Sequence, residues 1–204
     1  MLFRSGDGSI TYPNKHSRLP RLAWTHGISQ QEWLSYKASR LSELRPKLQV
    51  VVNQGYGDRS CTCQTACHPQ LSAVFEVVKP TGKGKTVTID WLSQISSEGL
   101  AWWYFDDGSL TLSPEGSPAI HLHTEGYALT ENQLIADWLT KLGYPATVKS
   151  YRKGTQRILY YYIGLNARTS RQWLADLQPY AIPSMAYKFG NDRICQPRWA
   201  GNGI

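Results

Sequence analysis

The sequence predicts an α+β fold in which one unit occurs twice. Two strings carry this prediction, Gly6-Asp7-Gly8-Ser9-Ile10-Thr11 and Asp106-Asp107-Gly108-Ser109-Leu110-Thr111, and their matching residues lie 100 positions apart in a chain of 204. A single Asp-Gly-Ser string is typical of a turn, but two of them at half the chain length indicate an internal repeat. We therefore expect two halves, residues 1–98 and 99–204, and no linker rich in Pro, Gly or Ser separates them.

The first half is the less regular of the two. Trp33, Leu34, Ala38 and Leu41 recur with helical spacing, which predicts a helix over 30–44 after an N-cap at Ser29. A second helix is predicted over 69–78, before Pro80, and the candidate strands are 21–25 and 49–53.

The second half has clearer periodicity. An apolar helix is predicted over 100–106, and the alternation from Ala119 to His123 predicts a strand. A helix over 130–142 follows, with Thr130 as its N-cap. Strands over 146–152 and 157–165, joined through Gly154, form a predicted hairpin, and a helix over 167–177 comes after it.

Composition bounds the class of protein. With 41% hydrophobic and 12% aromatic residues the chain can bury a core, so disorder is not expected. No apolar run approaches the ~20 residues that a membrane span needs, and the N-terminal apolar stretch is too short for a secretory signal. We expect a soluble intracellular protein, in the cytoplasm or an organelle, with no membrane partner. A net charge of +7 favours a polyanionic partner without identifying one.

Three of the four cysteines cluster at Cys61, Cys63 and Cys67, next to His68. Thiolates and imidazole are usual zinc ligands, but this spacing differs from that of a standard zinc knuckle. Reduced, partly buried thiols are the favoured interpretation, and a structural zinc is the alternative.

The segment from Leu100 to Gly108 carries candidate chemistry. It is an apolar helix that ends in acid and glycine, and Gly108 is expected to take the left-handed conformation that terminates helices. The Asp107 carboxylate then emerges where the helix already carries partial negative charge and free carbonyls. A divalent cation bound by carboxylate and carbonyl would offset that charge. The alternative is a helix stop with a turn-forming Asp-Gly pair.

The segment Trp103-Tyr104-Phe105-Asp106-Asp107-Gly108-Ser109 resembles the LAGLIDADG motif. Pro183-Ser184-Met185-Ala186-Tyr187-Lys188 resembles the Pro-x-Met-x-Tyr-Lys ending of that family's second repeat. The resemblance covers most of the chain and implies a homing endonuclease of the two-motif, single-chain type. It implies two motif helices packed at a pseudo-two-fold axis and two saddle-shaped antiparallel sheets over the DNA, with one repeat in each predicted half.

The resemblance also implies a metal site at the end of each motif. The terminal acids are Asp107 and, in the weaker first motif, Asp7, with Gly6 and Asp106 beside them as further candidate ligands of Mg²⁺.

The resemblance also implies a basic residue near each acid. Lys188 lies 81 residues after Asp107, and Lys85 lies 78 residues after Asp7. A lysine beside a scissile phosphate stabilises developing negative charge or positions the attacking water, and a solvated surface lysine is the alternative.

Basic and polar residues along the predicted strands are candidates for DNA contact, because a two-stranded ribbon fits the major groove. In the hairpin the candidates are Lys149, Tyr151, Arg152, Lys153 and Arg157, and their first-half counterparts are Lys47, Gln49, Asn53 and Arg59. The alternative is an exposed polar sheet face. For His121 and His123, strand surface or DNA contact is favoured over metal binding.

The predicted function is site-specific cleavage of double-stranded DNA by a monomer that uses Mg²⁺. Two alternatives share the fold: an intron maturase that binds structured RNA, and a catalytically inactive DNA-binding protein. Asp107 and Lys188 favour the endonuclease. The first motif favours the alternatives, because six residues precede Asp7, and Arg4 and Ser5 stand where apolar residues would pack. We therefore expect the Asp7 site to be held less firmly than the Asp107 site.

Overall fold

A computed structural model describes residues 8–52, 59–82, 84–155 and 157–190. The chain divides into two compact units, Met1–Gln94 and Ile95–Ile204. None of the helices within the described ranges has the length and apolar content to span a bilayer.

The first unit is a four-stranded antiparallel sheet covered by helices on one face. Its strand order is β1-β2-β4-β3. Its elements are β1 Ser9–Thr11, β2 Arg21–Gly27, α1 Gln31–Arg40, β3 Lys47–Val52, β4 Arg59–Gln64, α2 Gln70–Val78 and α3 Ile89–Ser93.

Side chains alternate across this sheet, as the two-residue period of a strand requires. In β2, Leu22, Trp24 and His26 are buried, whereas the intervening residues are not. Register extends the buried face to Cys63, opposite Trp24, and to Cys61, opposite His26. These side chains form one core with Leu34 and Ala38 of α1 and with Leu71 and Val78 of α2. The opposite face of the sheet is called here the first open face, and the side chains on it are Arg21, Ala23, Lys47, Gln49, Thr62 and Gln64.

The second unit repeats the same sheet topology, with strand order β5-β6-β8-β7. Its elements are α4 Ser97–Asp107, β5 Gly108–Leu112, β6 Pro118–Leu122, α5 Leu129–Lys141, β7 Ala146–Lys153, β8 Ile158–Leu165 and α6 Ala167–Leu177. Ile120, Leu122, Ile163 and Leu165 form the buried face of the sheet. Helix α5 contacts β7 and β8, and α6 contacts β6 and α4. The shared strand order confirms the duplicated α+β fold that the repeat predicts.

Each unit joins a strand to its following helix through a buried polar pair. In the first, the fully buried Lys37 of α1 places Nζ 2.7 Å from His26 Nε2, beside the Trp33 ring. In the second, the buried Asn132 of α5 donates to the carbonyl oxygen of Thr124 at 3.3 Å. Buried polar groups are tolerated where they find such partners.

The structure corrects one predicted helix end and two predicted N-caps. The helix predicted over 30–44 ends at Arg40, and a 3₁₀ turn, Ser42–Leu44, follows it. Ser29 lies within a 3₁₀ turn, and the N-cap of α1 is Gln30. The N-cap of α5 is Ala128, not Thr130, and its backbone N–H donates to Glu131 Oε2 at 2.9 Å.

Candidate active site and nucleic-acid interface

Helix α4 carries Asp107 as its last residue. At its start the hydroxyl of the N-cap Ser96 accepts a hydrogen bond from the Gly99 N–H at 3.1 Å. Residues 99–105 are all buried, so the helix is held by packing on every side. Asp106 and Asp107 are the first residues of the helix since Glu98 that are only half-buried. Asp106 and Asp107 therefore lie where the buried helix reaches the solvent-accessible surface.

Gly108 ends the helix by a different means from the one predicted. Its φ is −89° and its ψ is 149°, so it is extended and begins β5 directly. The left-handed conformation expected there is wrong. Glycine is required for space, because a Cβ at this position would overlap both the ring and the carbonyl oxygen of Tyr104. The absence of a side chain lets the chain turn from helix into strand without a loop.

Lys188 lies beside the same helix end. It belongs to a 3₁₀ segment, Pro183–Phe189, whose Met185 and Phe189 are buried. Lys188 Nζ donates a hydrogen bond to the Gly108 carbonyl oxygen at 2.6 Å. The Tyr104 hydroxyl donates to the Lys188 carbonyl oxygen. Both the main chain and the side chain of Lys188 are thus fixed to the last turn of α4, next to Asp107.

Asp107 has two further neighbours in the second unit. Its carbonyl oxygen accepts a hydrogen bond from the His123 N–H at 2.8 Å, which ties the helix end to the end of β6. Burial, and secondarily the negative charges of Asp107 and Glu131, raise the pKa of the Tyr127 hydroxyl. Tyr127 therefore keeps its proton at physiological pH, within electrostatic reach of the Asp107 carboxylate.

The site therefore combines two residues of opposite charge, Asp107 and Lys188, with two tyrosines, Tyr104 and Tyr127. A half-exposed carboxylate at a helix C-terminus attracts cations, and an ammonium group held beside it attracts phosphate oxygens. Tyr104 and Tyr127 were not predicted, because an aromatic residue inside an apolar helix and one in a loop look like core residues. Only the folded chain shows their contacts.

The second sheet presents an open face opposite its buried one. Register places Lys149 of β7 opposite Tyr162, Tyr151 opposite Tyr160, and Lys153 opposite Ile158. Since cross-strand partners share a face, Lys149, Tyr151 and Lys153 lie on the open face. Tyr151 stacks on Tyr160, with ring centroids 5.7 Å apart.

The remaining two hairpin candidates lie elsewhere. Arg152 pairs with Leu159 and therefore lies on the opposite face from Lys149 and Lys153. Its Nη1 donates to the Arg157 carbonyl oxygen at 3.2 Å. Arg157 has a φ of +50° in the turn. The structure thus separates these two arginines from the lysines with which the sequence grouped them.

A polar cluster borders this open face. His123 Nε2 lies 3.0 Å from Ser109 Oγ, and His123 Nδ1 lies 3.1 Å from Glu125 Oε1. The Tyr151 hydroxyl donates to the same carboxylate oxygen at 3.4 Å. Burial, followed by the charges of His123 and Lys149, lowers the pKa of His121. Within the described residues no three His, Cys, Asp or Glu side chains come together as metal ligands, so the cluster is a hydrogen-bonded surface.

In the first unit only some of the candidate site residues lie within the described part of the chain. Asp7, Gly6 and Asn53 lie outside the described residues. Lys85 is half-buried in the segment between α2 and α3. Lys47 and Gln49 lie on the first open face, opposite Gln64 and Thr62, whereas Arg59 is opposite Val52 on the other face.

Two of the clustered cysteines lie in the core of the first unit. Cys61 and Cys63 are buried on β4, and Cys67 is exposed beyond its end. Burial raises the pKa of Cys63 to about 11 and also raises that of Cys61. A zinc ligand must be a thiolate, so this arrangement supports the interpretation of reduced thiols.

The sequence model of the LAGLIDADG DNA endonuclease family matches residues 5–171. The chain belongs to this family. The match confirms the resemblance to this family, and it extends through both units as far as α6.

Relatives of two kinds match this family member. The probable intron-encoded DNA endonuclease 3 of Mycosarcoma maydis is 29% identical over 131 residues, which are 61% of this chain and 89% of that protein. Protein RecA of Mycobacterium gastri is 25% identical over 194 residues, 90% of this chain and 44% of that protein. The chain therefore spans less than half the length of this RecA protein.

Solved structures share the fold of this LAGLIDADG protein. The homing endonuclease I-WcaI bound to its DNA recognition sequence superposes with a TM-score of 0.72 at 21% identity, over 90% of this chain and 80% of that one. A mutant of I-SmaMI has a TM-score of 0.53 at 12% identity, over 91% and 85% of the two chains. At these identities the likeness establishes the architecture.

Proposed function

We propose that this chain is a site-specific endonuclease that cleaves double-stranded DNA as a monomer, with Mg²⁺ as its cofactor. The observation that carries the proposal is the helix end in the second unit. There Asp107 is the last residue of a buried helix, and Lys188 Nζ is fixed 2.6 Å from the adjoining Gly108 carbonyl oxygen. A second centre at Asp7 and Lys85 completes the proposal, one centre for each strand.

The comparisons support a DNA substrate. The family is one of DNA endonucleases, and the relative from Mycosarcoma maydis bears the name of a probable intron-encoded DNA endonuclease. I-WcaI, which shares the fold, is bound to its DNA recognition sequence.

The donor set at the helix end fits a hard divalent cation. Asp106 and Asp107 offer carboxylate oxygens, and Mg²⁺ is commonly held by one or two carboxylates together with substrate phosphate and water. Asp107, with Asp106 beside it, would hold the ion. When bound, the ion supplies positive charge to the attacking and leaving oxygens of a phosphodiester.

The residues of the chain prepare this chemistry. The packing of α4 fixes the Asp107 main chain, and with it the point from which the carboxylate extends. Lys188 holds an ammonium group beside it, where negative charge develops on a scissile phosphate. Tyr127, whose pKa is raised mainly by burial, contributes a neutral hydroxyl near the carboxylate.

A cleavage selection tests the proposal. The purified chain is incubated with a pool of randomised duplexes and Mg²⁺, with EDTA as the control, and cleaved molecules are sequenced. Recovery of duplexes that share one sequence, in Mg²⁺ alone, is the expected result. Tight duplex binding without cleavage would instead indicate an inactive DNA-binding protein. Preference for a folded intron RNA over every duplex would indicate a maturase.

A further inference from the structure

Strand β3, Lys47–Val52, is the outer strand of the first sheet and carries exposed apolar side chains. Leu48, Val50 and Val52 are 42%, 53% and 60% exposed. Leu48 is opposite the buried Cys63, and side chains two residues apart on a strand share a face. The three side chains therefore lie on the helix-covered side of the sheet, away from the first open face, and are called here the apolar strip.

The second unit supplies a matched comparison for the apolar strip. Its counterparts in β7 are Val148, Ser150 and Arg152, 100 positions later, and Val148 is opposite the buried Ile163. Ser150 and Arg152 are exposed like the residues of the apolar strip, but they are polar. The fold leaves this part of the outer strand in water in both units, so it does not itself require apolar side chains there. A row of exposed apolar side chains is typical of a surface that binds another chain.

The main chain of β3 offers a second means of binding. The strand order places β3 at the end of the sheet, and β4 is its only strand partner among the described residues. An edge strand presents a row of N–H and C=O groups that no neighbouring strand pairs. An extended peptide can pair with such an edge, and its alternate side chains then lie against those of the edge strand. The six residues of β3 give about 20 Å of strand for this pairing.

Cations lie at both ends of the apolar strip. Arg45 and Lys47 are exposed at the start of β3, and Arg59 is exposed opposite Val52 at its end. Glu43, in the turn before β3, lines a cleft with residues of α2 instead. Pairing of β3 with the β3 of a second copy would bring cations together in either strand direction, and like charges on paired strands are destabilising. An acidic segment brings charges of opposite sign to the same places.

We propose that β3 is the docking site of an acidic, extended peptide segment of a partner protein. The segment pairs with the outer edge of β3 and becomes a fifth strand of the first sheet. Every second side chain of the segment is apolar and packs on the apolar strip, and its carboxylates lie near the cations at the two ends. The apolar strip faces away from the first open face, so the proposal is independent of the proposed function.

A synthetic peptide tests the proposal. The probe is a fluorescently labelled peptide amide of sequence Glu-Val-Thr-Val-Thr-Val-Glu, and a second probe has lysines in place of both glutamates. Binding to the full chain is measured by fluorescence polarisation, and amide hydrogen exchange of residues 47–52 is measured with and without probe. Val50→Thr/Val52→Thr removes apolar contacts but keeps the β-branched shape that suits a strand. Ser150→Thr is the matched control on β7.

The expected result is saturable binding of the glutamate probe together with slower hydrogen exchange in β3. Val50→Thr/Val52→Thr should weaken this binding about tenfold, because two cross-strand apolar contacts are lost, and Ser150→Thr should leave it unchanged. Arg59→Glu should weaken binding of the glutamate probe and strengthen binding of the lysine probe. Thermal midpoints measured in parallel should stay near that of the wild type, since all the substituted positions are exposed.

Three outcomes overturn the proposal. They are failure of the folded wild type to bind the glutamate probe, equal binding of the two probes, and equal affinity in the wild type and Val50→Thr/Val52→Thr. Wild-type dimers that dissociate in Val50→Thr/Val52→Thr, measured by sedimentation equilibrium, would instead assign the apolar strip to self-association. Duplex cleavage is measured separately on the same preparations, and its absence in the wild type would overturn the proposed function but not the docking site.

Discussion

The ammonium group of Lys188 is hydrogen-bonded to the main-chain carbonyl oxygen of Gly108 at 2.6 Å. These residues are 80 positions apart, and the bond brings the 3₁₀ segment Pro183–Phe189 to the last turn of α4. Gly108 directly follows Asp107, so the bond holds a candidate catalytic cation on the residue next to a candidate metal-binding acid.

We predict that Gly108→Ala destabilises the protein and stops cleavage. The new methyl group would overlap the Tyr104 ring and carbonyl oxygen, and overpacking of this kind costs about 1–3 kcal/mol. Thermal unfolding and a nicking assay measure the two effects. Gly126→Ala is the control, because nothing lies within 4 Å of a Cβ at Gly126. Equal thermal midpoints for the two variants would contradict the steric account.

Asp107→Asn is expected to reduce cleavage by about 100-fold or more, because the charge stabilisation that a bound metal supplies is worth several kcal/mol. The amide keeps the shape of the side chain, so duplex binding measured in Ca²⁺ should be retained. Asp137→Asn, at an exposed position of α5, is the matched control. Full cleavage by Asp107→Asn would exclude this residue as a metal ligand.

Tyr104→Phe should lower the cleavage rate through Lys188. The variant lacks the hydroxyl that donates to the Lys188 carbonyl oxygen, at a cost of about 1 kcal/mol in the free energy of unfolding. In the background of Lys188→Met the same change should have little further effect on the rate, because a residue that acts through another is not additive with it. Additive effects in the double variant would assign Tyr104 a purely structural role.

Substitutions on the two faces of the hairpin are expected to change the salt dependence of DNA binding differently. Lys149→Gln and Lys153→Gln should each reduce the slope of log K against log salt by about 1, because both lysines lie on the open face. Arg152→Gln should leave the slope unchanged, since Arg152 lies on the other face and bonds to the Arg157 carbonyl oxygen. A larger effect at Arg152 than at the lysines would show that the ribbon contacts DNA with its other side.

Cys63 gives a prediction for alkaline pH. Its folded pKa of about 11 lies above the ordinary value of 9.0 because burial disfavours the thiolate. Its contribution to stability is therefore complete below about pH 9 and is lost as the pH rises to about 11. The free energy of unfolding of Cys63→Ala should fall less steeply than that of the wild type over this interval.

Alkylation followed by peptide mapping should label Cys67 and spare Cys61 and Cys63 in the folded protein. Stoichiometric zinc in the purified protein would contradict the assignment of free thiols.

Local periodicity was sufficient to predict the elements that depend on it. The helix over 167–177 is observed as Ala167–Leu177, and the hairpin strands lie within a residue of their expected limits. Strand β4, Arg-Ser-Cys-Thr-Cys-Gln, was missed because its inward residues are cysteines rather than large apolar side chains. Helix 30–44 was overextended because Leu41 and Leu44 continue the apolar spacing after the helix has ended.

The candidate site was predictable only in part. Asp107 and Lys188 came from motifs, and the structure brings Lys188 to Gly108. The contact of Tyr104 with Lys188 and the placement of Tyr127 near Asp107 depend on chain segments that meet only after folding. No spacing in the sequence distinguishes Arg152 from Lys153 either, because which of them faces outward is decided by the register with β8.

The acceptor for Lys188 Nζ is a peptide oxygen, and this affects which mutations can break the bond. Every amino acid supplies that oxygen, so a change of side chain at position 108 cannot delete the acceptor, although it can displace it. Only a substitution of Lys188, which removes the donor Nζ, deletes one of the two bonded atoms. Substitution of any open-face residue therefore leaves both ends of this bond chemically untouched.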